Sequence, residues 1–291
     1  MSERTAMTLD EILGLPTDEL MKRSRVGLRL FPDIPGMMEH MARSMADEIK
    51  SNNERGQPTR WILPVGPVKQ YFRLIEISNQ EHIDWKNVHV FMMDEFLDWQ
   101  GRPLPLEHPF SFEGFMRRVV FAKLDPELGF APDRVTFPSP FRPDESSERI
   151  RALGGIDTCY GGIGYHGHVA FNEPPISRWR QITLAELRDS LTRVVMLGDD
   201  SIIVQSINCS GGSCGSVPPM AVTLGMRDIL SSRRIRMFLA GGERHRAVLR
   251  ITCLGEETTD YPSTLLQEHG DCLIHTDAAT ARPVLLTQVW G

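Results

Sequence analysis

Residues 159–175 read Cys-Tyr-Gly-Gly-Ile-Gly-Tyr-His-Gly-His-Val-Ala-Phe-Asn-Glu-Pro-Pro, and they overlap a short apolar run, Ile156 to Tyr160, that predicts a buried strand. The stretch holds four glycines, two histidines and one carboxylate, and a pair of prolines closes it. Glycine permits positive φ angles and a close backbone approach that a Cβ would block. The sequence therefore predicts a strand that leads into a tight turn carrying reactive side chains.

Three of these glycines, Gly162, Gly164 and Gly167, also spell Gly-x-Gly-x-x-Gly. A dinucleotide-binding turn would need a long helix that opens at the third glycine and an acidic residue about 20 positions further on. Pro174 and Pro175 follow within eight residues of Gly167, which leaves about two helical turns at most. The dinucleotide interpretation is therefore disfavoured.

His166 and His168 lie just upstream of Glu173 in the same turn. A nearby carboxylate fixes the tautomer of an imidazole and raises its basicity, as general acid–base chemistry requires. The alternative is two exposed loop histidines beside a structural glutamate. Because the turn is rich in glycine and follows a buried strand, we favour the catalytic interpretation.

Elsewhere in the chain, apolar runs alternate with helical patterns. Strands are predicted at 61–65, 88–93, 134–137, 156–160, 235–240 and 272–275. Helices are predicted at 8–14, from 33 to about 50, from Pro67, and at 108–124, 144–153, 219–230 and 263–267. This alternation predicts an α/β protein, a three-layer Rossmann-like sandwich with a mostly parallel central sheet and helices on both faces. No repeat or linker is evident, so we predict an N-terminal extension over 1–32 and a single domain over 33–291.

The composition is that of an ordinary soluble protein, with 41% hydrophobic and 24% charged residues in 291. A net charge of -6 argues against a general nucleic-acid or anionic-membrane surface. Five scattered cysteines do not form a disulfide framework, and no targeting or membrane-spanning segment is apparent. We therefore expect a cytoplasmic protein that binds neither nucleic acid nor membrane.

Two motifs resemble one known family. Residues 161–174, Gly-Gly-Ile-Gly-x-x-Gly-His-Val-Ala-Phe-Asn-Glu-Pro, resemble the signature of the glucosamine-6-phosphate deaminase/isomerase family. Residues 93–96, Met-Asp-Glu-Phe, followed by His-Pro-Phe-Ser at 108–111, are similar to a second segment of that family. The related 6-phosphogluconolactonases resemble the turn only as far as Gly-His, so the two motifs together separate this chain from them.

In that family an amino sugar phosphate is ring-opened, a base moves the C2 proton to C1, and ammonia leaves to give a ketose phosphate. The resemblance implies that Asp94 is the C2 base, that His168 opens the ring, and that Glu173 is the acid supporting it. It implies a deaminase or isomerase acting on a phosphorylated sugar without a metal or other cofactor. We also expect a homo-oligomer.

The sequence departs from the family at His166, where the family has aspartate. The loss of this negative charge removes one of two acids that would stabilise a protonated His168. Four interpretations stay open: His166 shuttles the proton itself, the substrate is another sugar in an aldose–ketose isomerisation, the protein is a non-catalytic sugar-phosphate sensor, or His166, His168 and Glu173 bind a metal.

Four residues are candidates for phosphate binding. Gly66 and Lys69 stand at a strand–glycine–helix junction, where backbone N–H groups and the helix dipole favour an anion. The family has Gly-Gly-Thr at this junction and this chain has Gly-Pro-Val at 66–68, in which Pro67 has no N–H to donate. By resemblance, Arg193 corresponds to a phosphate-binding arginine and Arg244 to a phosphate-contacting lysine of the family.

Overall fold

The computed structural model describes residues 7–285. The strands are β1 (Gly27–Phe31), β2 (Thr59–Leu63), β3 (Val88–Met92), β4 (Asp94–Leu97), β5 (Val135–Thr136), β6 (Thr158–Gly162), β7 (Arg193–Met196), β8 (Met220–Thr223), β9 (Arg234–Leu239) and β10 (Cys272–Asp277). The α-helices are α1 (Leu9–Gly14), α2 (Thr17–Arg23), α3 (Ile34–Glu54), α4 (Lys69–Gln80), α5 (Phe112–Phe115), α6 (Glu145–Ala152), α7 (Leu184–Arg188), α8 (Asp199–Cys209), α9 (Met226–Leu230) and α10 (Arg246–Leu254). A π-helical segment at Met116–Val120 continues α5, and 3₁₀ segments include Gly242–His245 and Pro262–Glu268.

Seven strands form one sheet in the order β1-β10-β9-β6-β2-β3-β5, and every neighbouring pair is parallel. The carboxyl ends of these strands therefore meet at one edge of the sheet. The glycine-rich turn follows the central strand β6, and residues 66–68 follow its neighbour β2, so both lie at this edge, where α/β sheets bind their ligands. This architecture confirms the predicted fold class.

The two faces of the sheet are covered by different helices. Successive side chains of a strand point to opposite faces. Trp61 and Leu63 of β2 pack in one core with residues of α3 and α4. Ile62, between them, packs in a second core with residues of α1, α2, α6, α9 and α10. The three layers thus follow from the alternation of buried residues along each strand.

A second, antiparallel sheet has the order β4-β8-β7. The prediction of a helix over 219–230 is wrong in its first half, because Met220–Thr223 forms β8 and the helix spans only Met226–Leu230. The strand is favoured because β8 lies between two partner strands, with Ala221 and Val222 fully buried. Short apolar runs fit a buried strand and a buried helix equally well, which explains the error.

Several other boundaries differ from the predictions. The helix predicted from Pro67 begins at Lys69, and the helix predicted over 108–124 begins at Phe112. The second begins late because the Ser111 hydroxyl accepts a hydrogen bond from Gly114 N at 3.0 Å and caps it there. Six elements were not predicted from the sequence: β1, β4, β7, α2, α7 and α8. In the case of β1, an edge strand with mostly exposed side chains, no apolar run marks the strand.

The first part of the chain is built into the same layers as the rest. β1 is hydrogen-bonded to β10, and both α1 and α2 contact α10. The division into an extension over 1–32 and a domain over 33–291 stays a prediction. Residues 1–6 and 286–291, which belong to these two ranges, lie outside the described residues. Within 7–285, no helix has the length and apolar character needed to cross a bilayer. All five cysteines are free.

Asn52, near the end of α3, is hydrogen-bonded to Thr59, the first residue of β2. Its Nδ2 donates to Thr59 Oγ1 at 2.9 Å, and its Oδ1 accepts from Arg55 at 2.7 Å, while the residue is 6% exposed. We expect Asn52→Ala to lower the free energy of unfolding by about 1–3 kcal/mol, because it leaves buried polar groups without partners. Asn53→Ala is the matched control, since its amide bonds the Asp84 carbonyl at the surface. Urea denaturation measures both, and equal losses would contradict the prediction.

Candidate active site

The glycine-rich turn is closed by its own backbone. Gly164 N donates to His168 O at 2.8 Å, and Gly167 N donates to Gly164 O at 3.0 Å. Gly167 has φ +86°, in the left-handed region that favours glycine. A Cβ on Gly164 would lie 1.9 Å from Nε2 of His168. Glycine at position 164 is therefore what allows the His168 ring to lie directly against the turn.

His168 is a buried imidazole beside a buried carboxylate. Its Nδ1 lies 3.3 Å from Oε1 of Glu173, without the alignment of a hydrogen bond. Burial, and after it the neighbouring His166 and His245, lowers the pKa of His168 to about 3. The ring is therefore neutral near pH 7. Because the carboxylate favours a proton on Nδ1, Nε2 is left as the proton acceptor.

Glu173 is held by the N-terminal end of α8. Gly198 N donates to its Oε2 at 2.8 Å, and the Ser201 hydroxyl donates to its Oε1. The positive end of the α8 dipole also favours a negative charge at this position. Two residues that the sequence analysis did not single out therefore orient the predicted acid behind His168.

His166 contacts a carboxylate that the sequence analysis also missed. Its Nδ1 lies against Oδ2 of Asp200, which is in the first turn of α8. The rings of His166 and His168 are 5.0 Å apart and nearly perpendicular. Asp200 and Glu173 thus flank the two imidazoles. The family's aspartate is absent from position 166, but α8 supplies a carboxylate next to the imidazole that replaces it.

Asp94 opens β4, one residue after β3 ends, and its side chain is buried. Burial, and after it the charge of Glu95, raises the pKa of the Asp94 carboxyl to about 8. Its strand partner Thr223 accepts a hydrogen bond from Phe171 N at 3.1 Å, which ties β4 to the glycine-rich turn through β8. Asp94 makes no side-chain hydrogen bond to other residues in 7–285. Such a carboxyl is suited to proton transfer.

Glu95, the next residue, differs from Asp94 in its partners. Its carboxylate accepts hydrogen bonds from the backbone N–H groups of Phe96, Phe112 and Glu113 at 2.6–2.9 Å. Burial nevertheless raises its pKa to about 7. Because two of these donors are backbone groups in the first turn of α5 and the third is the next residue of β4, we assign Glu95 a structural role.

A cavity of about 790 Å³, called the main cavity below, opens at this edge of the sheet. Of the predicted site residues, it is lined by Gly66, Lys69, His168 and Arg244. Within residues 7–285, its lining does not include Asp94, His166, Glu173 or Arg193. The structure therefore brings His168 to the cavity wall. Asp200 and Ser201, which contact His166 and Glu173, line the same cavity.

The predicted phosphate residues separate into two groups. Lys69 and Arg244 supply positive charge to the main cavity, and Nη1 of Arg244 donates to Oδ1 of Asn208 at 3.3 Å. Arg193 instead donates to Oδ1 of Asn172 at 2.8 Å, away from the cavity lining. Pro67 lines the cavity beside Gly66 without an N–H to offer.

His166, His168 and Glu173 also have the residue types of a metal site. One ligand atom from each lies within 4.8 Å of the others. Zinc bonded to nitrogen at 2.0–2.1 Å holds tetrahedral ligand atoms roughly 3.4 Å apart. The separation of 3.3 Å between His168 Nδ1 and Glu173 Oε1 is compatible with such an ion, but the Ser201 and Gly198 donors already occupy Glu173. This arrangement suits proton transfer better than ligation.

Solved structures with the same fold come from two groups of sugar-phosphate enzymes. A monomeric glucosamine-6-phosphate deaminase matches with a TM-score of 0.72 at 25% identity, over 88% of this chain and 98% of that chain. A 6-phosphogluconolactonase from Trypanosoma cruzi matches with a TM-score of 0.62 at 16% identity, over 88% and 96%, which shows the fold alone. Fold and site together define an enzyme of the superfamily that contains these deaminases and lactonases.

Sequence comparison finds relatives of this chain among the glucosamine-6-phosphate deaminases. Glucosamine-6-phosphate deaminase 2 of Giardia intestinalis is 31% identical over 227 residues, which are 76% of this chain and 78% of the relative. The glucosamine-6-phosphate deaminase of Parabacteroides distasonis is 30% identical over 257 residues, 85% and 87% of the two chains. No family model matches. The chain belongs to the glucosamine-6-phosphate deaminase family, which confirms the resemblance of its two motifs.

Proposed function

We propose that this protein is a glucosamine-6-phosphate deaminase-like enzyme that opens the ring of a phosphorylated amino sugar, moves the C2 proton to C1 and releases ammonia. The observation that carries the proposal is the neutral His168 imidazole in the wall of the main cavity, with Glu173 behind its Nδ1. A neutral imidazole in contact with a carboxylate accepts and returns a proton in one step of a reaction.

In this proposal His168 opens the pyranose. Nε2 accepts the proton of the sugar O1 hydroxyl as the C1–O5 bond breaks, and it returns that proton to O5. The products of the step are a C1 aldehyde and a C5 hydroxyl. Glu173 stabilises the positive charge that His168 carries during the transfer. This role is supported by the closeness of Glu173 to the imidazole and by the α8 donors that hold it.

Asp94 performs the second step. Its ionised carboxylate removes the C2 proton, which the new aldehyde has made acidic, and the same proton is delivered to C1. As the C2 proton leaves, O1 takes a proton from the substrate's ammonium group to give an enolamine, and delivery of the C2 proton to C1 converts the C2–nitrogen bond to an iminium. Water then adds to C2, and ammonia leaves to give the ketose. The family motif and the raised pKa of Asp94 support this assignment. Because Asp94 does not line the main cavity, the proposal requires the sugar to move part of the cavity wall.

His166 and Asp200 together do the work of the family's aspartate. The Asp200 carboxylate lies against Nδ1 of His166, and its negative charge offsets the unfavourable effect of the His166 ring on a protonated His168. This proposal differs from the first of the four interpretations, because His166 supports His168 and does not carry the proton itself; the position of the α8 carboxylate supports it.

The phosphate group binds to Lys69 and Arg244 in this proposal. Both line the main cavity and carry the positive charge that a sugar phosphate needs. Arg193 is not part of the proposed phosphate site, because its guanidinium is bonded to Asn172. The homo-oligomer stays a prediction, and a structurally similar relative is a monomeric deaminase. The cytoplasmic location is likewise proposed from the composition alone.

The test is ammonia release from the purified protein with glucosamine 6-phosphate, measured by a coupled dehydrogenase assay with EDTA present. We expect release of ammonia with this substrate and at least tenfold less with unphosphorylated glucosamine, because Lys69 and Arg244 then have no phosphate to bind. Release that EDTA abolishes would instead support a metal at His166, His168 and Glu173.

The same assay separates the alternatives. Ketose formation from another sugar phosphate without ammonia would identify an aldose–ketose isomerase. Thermal stabilisation by sugar phosphates without any turnover would identify a non-catalytic sensor and overturn the proposed activity. A His166→Asp variant is run in parallel, since release of ammonia by that variant alone would show that the imidazole blocks deamination.

A further inference from the structure

A second cavity, of about 340 Å³, lies between α3 and the sheet face that α3 covers. We call it the arginine cavity, because its lining includes Arg29 of β1 and Arg234 and Arg236 of β9. Glu48 of α3 is its only acidic lining residue within the described part of the chain. The lining residues therefore carry more positive than negative charge, and the site shares no lining residue with the catalytic groups described above.

The single acid does not neutralise the three arginines. Glu48 accepts from Arg234 at 2.6 Å, from Thr158 at 2.8 Å and from Tyr160 at 2.9 Å, so its oxygens are already occupied. Arg236 pairs through Nη1 alone, with the carboxylate and carbonyl of Asp271 at the rim. Its Nε and Nη2 make no hydrogen bond to residues in 7–285, and an arginine fork with two open donors is suited to an oxyanion.

Arg29 has no carboxylate partner within the described residues. Its Nη1 contacts Nε2 of His40 at 3.0 Å, and its guanidinium lies 5.2 Å from the centre of the Phe31 ring. A guanidinium that donates to a neutral imidazole keeps its full charge and its remaining donors. Arg29 therefore offers an unneutralised cationic group to the cavity, and Arg236, although it is paired with Asp271, offers two open donors.

A buried imidazole completes the site. His275 is 4% exposed and lines the cavity, and its Nδ1 lies 3.3 Å from the Met237 carbonyl. Its Nε2 makes no hydrogen bond within the described residues, and its ring is 5.6 Å from that of His40. Because Nδ1 carries the proton that faces the carbonyl, Nε2 is an acceptor, to which a P–OH group of a ligand can donate. The neighbouring arginines favour a ligand with negative charge.

We propose that the arginine cavity binds the phosphate group of a small metabolite, with Arg29 and Arg236 as its principal donors. The volume lies at the lower end of the range for small-molecule sites. A phosphate dianion matches the arginine forks in geometry and offsets their excess charge. The site is independent of the proposed deaminase activity.

The test uses inorganic phosphate as the probe, with isothermal titration calorimetry and histidine NMR on the full chain. We expect phosphate to shift the resonances of His40 and His275. We expect Arg29→Leu and Arg236→Leu each to weaken this binding about tenfold or more, since a hydrogen bond to a charged group contributes about 1.5–3 kcal/mol. Arg142→Leu, at an exposed arginine that does not line either cavity, is the control.

Arg244→Leu distinguishes this site from the main cavity. Binding that survives Arg244→Leu and is weakened by Arg29→Leu supports the proposal. Binding lost with Arg244→Leu alone, or no histidine shift at all, overturns it. Arg29 is exposed on an edge strand, so its variant tests the site even where Arg236→Leu does not fold. Tighter binding of glycerol 3-phosphate than of inorganic phosphate would identify a monoester as the ligand.

Discussion

Asp94→Asn is expected to lower kcat/KM for amino-sugar-phosphate turnover by about 10²- to 10⁴-fold, the contribution of a positioned general base. Asparagine has the shape of aspartate but cannot accept the C2 proton. Asp94 makes no side-chain hydrogen bond within residues 7–285, so the substitution breaks no internal contact. Asp98→Asn, four residues downstream, is the matched control, because that carboxylate is exposed and holds only its own loop. Retention of full activity in Asp94→Asn would remove Asp94 from the mechanism.

The stability of Asp94→Asn distinguishes loss of chemistry from loss of folding. The pKa of Asp94 is raised to about 8 by burial and then by Glu95. A carboxyl with a raised pKa binds more protons in the folded than in the unfolded state between about pH 4 and pH 8. It therefore destabilises the fold progressively as the pH rises through that window. Because Asn carries no charge, the variant is expected to be at least as stable as the parent protein at pH 8, as thermal unfolding would show.

The same pKa sets the expected pH profile. A base must be ionised to accept a proton, so kcat/KM should rise with pH and level off above about pH 8. Glu95, whose pKa is raised to about 7, broadens this rise because the two neighbouring carboxyls titrate as a coupled pair. The measurement is kcat/KM from pH 5 to 9. A profile already flat from pH 5 would mean that the essential base is not a buried carboxyl.

The main sheet was predictable because its inner strands are continuous apolar runs that end in glycine or acidic residues. Parallel strands buried on both faces leave that pattern in the sequence. The three-stranded sheet was not predictable, since β8 is a short apolar run that fits a helix equally well, and its strand identity comes from pairing with β4 and β7. Edge strand β1 was also not predictable from the sequence, because it is short, most of its side chains are exposed, and an arginine interrupts its apolar residues.

The candidate site likewise contains some residues that the sequence predicted and others that it did not. His168 and Glu173 were found because both belong to one short motif, in which spacing alone brings them together. Asp200 was missed because its partner His166 is 34 positions away, and only the packing of α8 against the turn joins them. An acidic first turn is common in helices for reasons of capping and dipole, so Asp200 had no distinguishing signal. Arg193 was placed by resemblance, and its bond to Asn172 could not be read from the sequence.

Asp200→Asn is expected to lower kcat by about ten- to a hundredfold, because the carboxylate contacts His166, and a change in KM would reflect the position of Asp200 in the lining of the main cavity. Removing a partner that orients a reactive imidazole typically has an effect of this size. Asp199→Asn is the matched control: it neutralises a neighbouring exposed carboxylate in the same turn of α8, which keeps the change in helix dipole interaction similar. The control is expected to change kcat by less than about twofold, within the range of surface substitutions.

A double-mutant cycle decides whether Asp200 and His166 act as one unit. If they do, Asp200→Asn combined with His166→Gln is expected to lower kcat no further than the more damaging single change, with a coupling energy of about 1–3 kcal/mol. Additive losses would mean that the contact between Asp200 and His166 has no part in catalysis. In that case His168 and Glu173 would have to open the ring without the second acid. Coupled losses would show instead that a carboxylate on α8 and an imidazole on the turn together replace the family's single aspartate.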